Sequence, residues 1–288
     1  MKFKTLLIFG FLCSFTTVSA QDLENSLLWK VSGNGLNEDS YLFGTLHATC
    51  QTELKPRVIT ALEKTEQLAL ELDLSDMGMQ MALAQKMYLS DGKSISDYLT
   101  EAETNQVKNL FEEYIPNMNF EMLNRIKPIF TSIMLTQNLV DCEVPKAYDT
   151  MLMQKAQSSK KPIFGLEDVQ DQLAIFEAIS IEDQVLELLK SAEDQMESDK
   201  AEFLKLVDLY EAEALTDLGK LMKEGDNVFN TYMVDILDKR NEKWIPKIEK
   251  MMHEKPSFFG FGAMHLVGEM GVIQLLRNQG YQVEAVLN

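Results

Sequence analysis

Only three histidines occur in this sequence of 288 residues, and two of them sit in the same five-residue frame. Phe43-Gly44-Thr45-Leu46-His47 matches Phe261-Gly262-Ala263-Met264-His265, and each frame closes an apolar run. A lone imidazole after a strand is usually just a hydrogen-bonding residue. Two in one repeated frame are candidates for a shared site, because imidazole nitrogen both binds transition metals and carries protons near neutral pH. Two carboxylates join them. Glu71 alternates with leucines in "LALELDL" and is expected on an inner strand, where an ionised carboxylate costs several kcal/mol unless it is paired or metal-bound. Glu167 ends the run "KPIFGLE" in the same way. His47, His265 and Glu71 are the expected ligands of a divalent metal, with Mn, Co, Zn and Fe all compatible, and Glu71 or Glu167 is the expected ligand or general base. Arg240, followed by Asn241 and Trp244 on an expected helix, is a candidate to stabilise oxyanion charge or clamp a substrate carboxylate. Taken alone, Arg240 reads more simply as half of a surface ion pair. His253 in a polar turn and Glu284 on an edge strand are expected to have no role in the site.

These residues need elements to hold them. "SLLWKVSG" and "SYLFGTLH" read as two strands around the turn-forming "NGLNEDS". "LKPRVITALEKTEQ" follows as a helix with Pro56 near its start, and "LALELDL" as a strand. At the other end, "PSFFGFGAMHLV", "GEMGVIQLLRNQG" and "YQVEAVL" repeat the order strand, histidine, helix, strand. Residues 76–250 between the two units read mostly as helix, interrupted by one β island at 161–167. The fold class is therefore α/β: a duplicated strand-GxxH-helix-strand core carrying a large helical insertion. In open α/β sheets ligands gather at the carboxyl ends of the strands, so units packed side by side would bring His47 and His265 to one point. The 17 methionines suit malleable helix packing or, less simply, an apolar groove.

The whole chain narrows the function classes. Lys2 and Lys4 before the apolar stretch Leu6 to Phe15, with Val18-Ser19-Ala20 before Gln21, mark residues 1–20 as a cleavable signal peptide and 21–288 as one mature domain, periplasmic or secreted. Leu12 before Cys13 is too large for a lipoprotein signal. No later stretch is long and apolar enough for a membrane span. The remaining Cys50 and Cys142 are a candidate disulfide in an oxidising compartment, or else two small buried thiols. The net charge of −18 becomes −20 once the two leader lysines are removed, which argues against nucleic acid or anionic lipid as a partner. A serine-hydrolase elbow, the H-E-x-x-H zinc motif and a phosphate-binding Walker loop are all missing from the sequence.

"FGTLHA", "LALELDL", "KPIFGLEDVQDQL", "RNEKW" and "FFGFGAMHLVGEMGVIQLLRNQGYQVEAV" together resemble the TraB/GumN family, which includes the PrgY pheromone-shutdown proteins and the Tiki Wnt-inactivating proteases. The resemblance implies a core distantly similar to the erythromycin-esterase (EreA) and ChaN-like folds. It also implies a divalent-metal site at His47, His265 and Glu71, with Glu167 and Arg240 in the family's Gly-Leu-Glu and Arg-Asn elements. The expected function is a secreted or periplasmic metal-dependent hydrolase, of peptidase type, acting on a peptide or other small substrate. The alternatives are a module that binds a peptide, haem or metal without turnover, and an accessory protein of polysaccharide biosynthesis or export. Family membership alone does not choose among them.

Overall fold

The computed structural model describes residues 23–140, 142, 144–224 and 231–287; the signal peptide expected at 1–20 lies outside the described residues. Among them a six-stranded sheet runs in the order β4-β3-β5-β2-β1-β6. Its strands are β1 (Leu28–Ser32), β2 (Ser40–Thr45), β3 (Gln67–Leu70), β4 (Ile163–Gly165), β5 (Ser257–Gly262) and β6 (Gln282–Ala285). β2, β3, β4, β5 and β6 all run one way, and β1 runs against its neighbours β2 and β6. The protein is thus mixed α/β, with the expected hairpin formed by β1 and β2.

Fully buried β2 and β3, with the almost entirely buried β5, form the middle of the sheet, as their unbroken apolar character requires. Glu71 is not within the strand, as its alternation with leucines suggested, but one residue past the end of β3. The β3 strand ends at Leu70, yet the Glu71 carbonyl still accepts from the Glu167 N–H at 3.1 Å, which ties the two carboxylate-bearing residues together beyond the sheet. Glu167 likewise lies beyond β4. Asp168 caps the next helix there, accepting from the backbone of Gln170 and Asp171, so Glu167 sits in a link closed at both ends.

α1 (Pro56–Glu63) connects β2 to β3, and α12 (Val272–Asn278) connects β5 to β6. The first connection passes β5 and the second passes β2 and β1, so they cross the sheet in opposite directions. Between them come α2 (Met77–Lys86), α3 (Glu101–Tyr114), α4 (Phe120–Leu123), α5 (Pro128–Gln137), α6 (Tyr148–Ser158), α7 (Val169–Ala178), α8 (Ile181–Glu193), α9 (Glu197–Glu211), α10 (Leu215–Glu224) and α11 (Lys239–Glu254). Within the segment expected to be mostly helical, the run "EMLNRIKPIFTSIMLTQNLV" is split by Pro128, which disfavours helix in the residue before it and opens α5. One apolar cluster is built on the sheet around Trp29, Phe258, Phe261 and Trp244. A second joins α3, α5, α7 and α8 around Phe111, Ile129, Leu173 and Leu188.

α11 places the arginine. Arg240, Trp244, Ile248 and Met252 recur every four residues and are all buried, so one stripe of this helix faces the sheet core. A π-helical turn at Val234–Asp238 precedes it, an irregularity common near functional sites.

Candidate active site

The carboxyl ends of β2, β5, β3 and β4 converge on one buried cluster. Thr45 pairs with Gly262, and Leu70 with both Gly260 and Gly165. This register staggers the repeated frames by one residue, since Gly44 corresponds to Gly262 in the sequence but faces Phe261 across the sheet. Both histidines lie beyond the paired residues, His47 two residues past the end of β2 and His265 in the 3-10 turn Ala263–Leu266, and they reach different surroundings. Gly44 makes the contact between the frames feasible: a Cβ there would lie 2.9 Å from Cα of Ala263.

Arg240 is the hub. Its Nε donates to Oε2 of Glu167 at 3.0 Å and its Nη2 to Oε1 of Glu167 at 2.6 Å, a two-pronged pairing. Nη2 also donates to Oε2 of Glu71. Nη1 donates to the Ile236 carbonyl, in the π turn, at 3.1 Å and to Nε2 of His265 at 3.1 Å. A guanidinium has five N–H donors, and all five are used. Arg240 is thus no surface ion pair, and in this arrangement it keeps no donor for a substrate oxyanion. Its place is to position its neighbours.

His265 is buried, at 3% exposure. Its Nδ1 lies 2.6 Å from Oδ1 of Asn241, so with Nδ1 donating there, Nε2 is the acceptor for Arg240. Trp244 stacks against the ring at 4.4 Å and donates its indole N–H to Glu167. Burial first, then Arg240 and His47, push the His265 pKa down to about 3 despite the nearby Glu71. The ring is neutral at pH 7.

Burial alone would raise the Glu71 carboxyl, but His265, Arg240, His47 and the Gly262 N–H hold it down at about 2. With His265 neutral, Arg240 and His47 are the charges that matter. The Gly262 N–H reaches Oε1 at 2.8 Å. Burial raises Glu167, against the hydrogen bond and charge of Arg240.

His47 takes the opposite setting. Its side chain is 64% exposed, and Nδ1 lies 3.0 Å from Oδ2 of Asp149. Thr45 holds the other Asp149 oxygen through its hydroxyl at 3.0 Å. Asp149 first, against some desolvation, raises the His47 pKa to about 9. Solvent around so exposed a ring trims the size of the shift and leaves its direction.

His47, Glu71, Asp149 and Gln172 line a pocket of about 440 Å³ whose other walls are largely apolar. His265, Arg240 and Glu167 lie behind Glu71 rather than on the pocket wall. The structure therefore brings Glu71, Glu167, Arg240 and His265 into direct contact and leaves His47 outside those contacts, on the lining of the pocket it shares with Glu71. His265 Nε2 and Glu71 Oε1 are 3.9 Å apart. The two histidines expected to meet at one point stand in unlike settings: one ring is buried and neutral, the other exposed and biased toward its cationic form.

As a set of donors, His47, His265 and Glu71 suit a divalent metal, yet their arrangement does not fit one shared ion. Both ring nitrogens of His265 are engaged, and the Arg240 guanidinium fills the position among Glu71, Glu167 and His265 that a cation would take. Among the described residues no group of three or more His, Cys, Asp or Glu is arranged to hold a metal.

Asp149 and Gln172 are the site residues that sequence reasoning missed. Asp149 stands in the first turn of α6, where an acid is ordinarily a helix-dipole partner. Gln172, 3.5 Å from Glu71 Oε2, lies inside α7 with no marking pattern. His253, placed in a turn from the sequence, closes α11 and lies 3.1 Å from the Tyr281 hydroxyl. Glu284 pairs with Lys30 on the edge strand. Cys50 and Cys142 are joined as a disulfide with Cα atoms 5.7 Å apart.

Fold and site together define an α/β protein with a charged acid–base cluster at the carboxyl ends of its parallel strands. The chain belongs to the TraB/PrgY/gumN family, which it matches over residues 27–285. Metalloprotease TIKI1 of Danio rerio is 25% identical, with the match covering 93% of this chain and 64% of that protein. Metalloprotease TIKI2 of Xenopus tropicalis is 26% identical over 92% of this chain and 60% of its own. Metalloprotease TIKI1 of Homo sapiens is 24% identical over 90% and 62%. The chain thus spans less than two thirds of the length of these relatives. No solved structure matches it.

Proposed function

We propose that this protein is an exported hydrolase of peptidase type, working in the pocket that Glu71 and His47 share. The observation that carries this reading is geometric: Glu71, held by Arg240 and the Gly262 N–H, and His47, paired with Asp149, line one pocket. A carboxylate and an imidazole in one pocket can serve as base and acid. Glu71 takes a proton from water as the water oxygen bonds to the scissile carbonyl carbon. His47 gives its proton to the leaving nitrogen as the carbon–nitrogen bond breaks. Arg240 and Glu167 keep Glu71 in place, and Asp149 orients His47.

The Tiki relatives are named metalloproteases, which makes a divalent cation the first cofactor to test. Such an ion polarises a carbonyl and acidifies water. His47, His265 and Glu71 remain its candidate ligands, and binding by all three requires Arg240 to release His265.

Export is supported by the Cys50–Cys142 disulfide and by the leader-like residues 1–20. Among the described residues no helix is long and apolar enough to cross a membrane. We read the two strand–histidine–helix–strand units as a duplicated core of the EreA/ChaN-like kind, in one domain over 21–288 with the helical insertion at about 76–250.

The test is cleavage of a quenched-peptide library by the purified protein, before and after chelation, with metal analysis and the variants His47→Ala, His265→Ala and Glu71→Gln. The expected result is activity abolished by Glu71→Gln and cut at least a hundredfold by His47→Ala. Full activity in both variants overturns the reading. Peptide or haem binding without any turnover supports a binding module instead.

A further inference from the structure

The polar lining of the pocket is Glu71 and His47, just past the ends of β3 and β2, with Gln137, Asp149, Thr150 and Gln172 from the helical segment. The rest of the wall is apolar and comes mostly from the same helices: Leu83 on α2, Phe130 and Ile133 on α5, Met153 on α6 and Phe176 on α7. Among the described residues no lysine or arginine lines the pocket. Its two carboxylates already have cationic neighbours, Asp149 through His47 and Glu71 through Arg240. Ile133 is 41% exposed and Leu74, also on the lining, 38% exposed, so apolar surface continues to the mouth.

We propose that this wall is a specificity subsite that takes a large apolar side chain of a peptide, of leucine, phenylalanine or methionine type, beside the bond to be cleaved. This rests on the peptidase reading for the class of ligand. Five physical arguments support it. Ligand pockets run from about 300 to 1,000 Å³, so about 440 Å³ holds one large side chain with its flanking main chain but not a folded domain. An acidic side chain placed there would meet Glu71 and Asp149 with no free cation to offset them. A lysine could reach only carboxylates that already have partners. An apolar side chain needs no partner and gains by leaving water. Contiguity with Glu71 and His47 puts that side chain next to the reacting groups, so the helical segment selects the peptide while the strand ends act on it.

The test uses the full mature protein and a panel of quenched peptides identical except at one position, occupied in turn by Leu, Phe, Met, Ala, Glu or Lys. Cleavage is measured with the wild-type protein, and binding with Glu71→Gln by fluorescence anisotropy. Leu, Phe and Met are expected to be preferred over Ala by about tenfold or more, and Glu to be rejected. Ile133→Glu is expected to abolish the preference and improve the Lys peptide. Leu186→Glu, at a comparably exposed leucine on α8 outside the pocket, is expected to change nothing. Cleavage with no apolar preference, or a preference that survives Ile133→Glu, overturns the subsite and leaves the peptidase reading standing. Binding that depends on the apolar residue, without cleavage by the wild type, keeps the subsite and overturns the peptidase reading. Neither binding nor cleavage overturns both.

Discussion

Nη1 of Arg240 and Nε2 of His265 meet at 3.1 Å, and because the guanidinium can only donate, the buried imidazole must accept. Its proton then sits on Nδ1, toward Asn241. In metal-free protein, ¹⁵N shifts of the His265 ring should report the Nδ1–H tautomer, neutral throughout pH 5 to 8. The same burial has a stability consequence. The unfolded chain binds a proton on this residue below about 6.5, whereas the folded protein does not until about 3. That contribution is complete above 6.5 and is lost as pH falls through the interval. His47, raised to about 9, has the opposite sign, and its contribution changes only between about 6.5 and 9. Denaturant midpoints should therefore fall between pH 6.5 and 5, and His265→Gln should flatten that fall; an unchanged slope in the variant contradicts the assignment.

Removing the hub should cost more than losing a surface contact. Arg240→Met leaves the Glu71 and Glu167 carboxylates buried without their cation, which typically costs about 3 to 5 kcal/mol. Adding Glu167→Gln to Arg240→Met removes one orphaned charge and should recover part of the loss. Urea unfolding of the two single variants and the double variant gives the coupling, and strict additivity would show that the pair does not interact.

The Cys50–Cys142 disulfide closes a loop of 92 residues and lies three residues from His47 and seven from Asp149. A paired bridge between Thr49 and Lys146 reinforces the same junction. The chain-entropy account gives about 4.6 kcal/mol for such a loop, so the double Cys→Ser variant should unfold at markedly lower denaturant. His47 should also titrate at lower pH in that variant, as its contact with Asp149 loosens. An unmoved His47 titration would show that the staple does not hold the pair.

Gly44→Ala tests the contact between the repeated frames. The added Cβ would meet the Ala263 backbone at 2.9 Å, and backbone cannot rotate away as a side chain can. A loss of about 1 to 3 kcal/mol is expected, with weakened activity because Gly262 carries the N–H that holds Glu71. Wild-type stability in this variant would mean that the strands can separate at no cost.

Much of this protein was legible one segment at a time. Apolar alternation and turn residues marked the β1–β2 hairpin, β3, β5 and β6, because period and punctuation are local properties of a chain. The repeated Phe-Gly-x-x-His frame and the placement of Glu71 and Glu167 marked out the candidate site, because charges beside apolar runs demand partners; Arg240 taken alone read as a surface ion pair and joined them only through the family's Arg-Asn element. Asp149 escaped, since an acid at the start of a helix already has an ordinary explanation.

What the chain alone determined is which residue types would have to meet. Which of them touch was decided by the tertiary structure. Arg240 lies 169 residues from Glu71 and 73 from Glu167, so no local pattern encodes their contact. Nor does a repeated frame reveal that its two histidines end in different surroundings. His47 lies in the loop after β2 and His265 in the short 3-10 turn after β5, and contacts with Arg240, Asn241 and Trp244 hold one imidazole in the core as a neutral acceptor while the other stays on the pocket lining beside an aspartate.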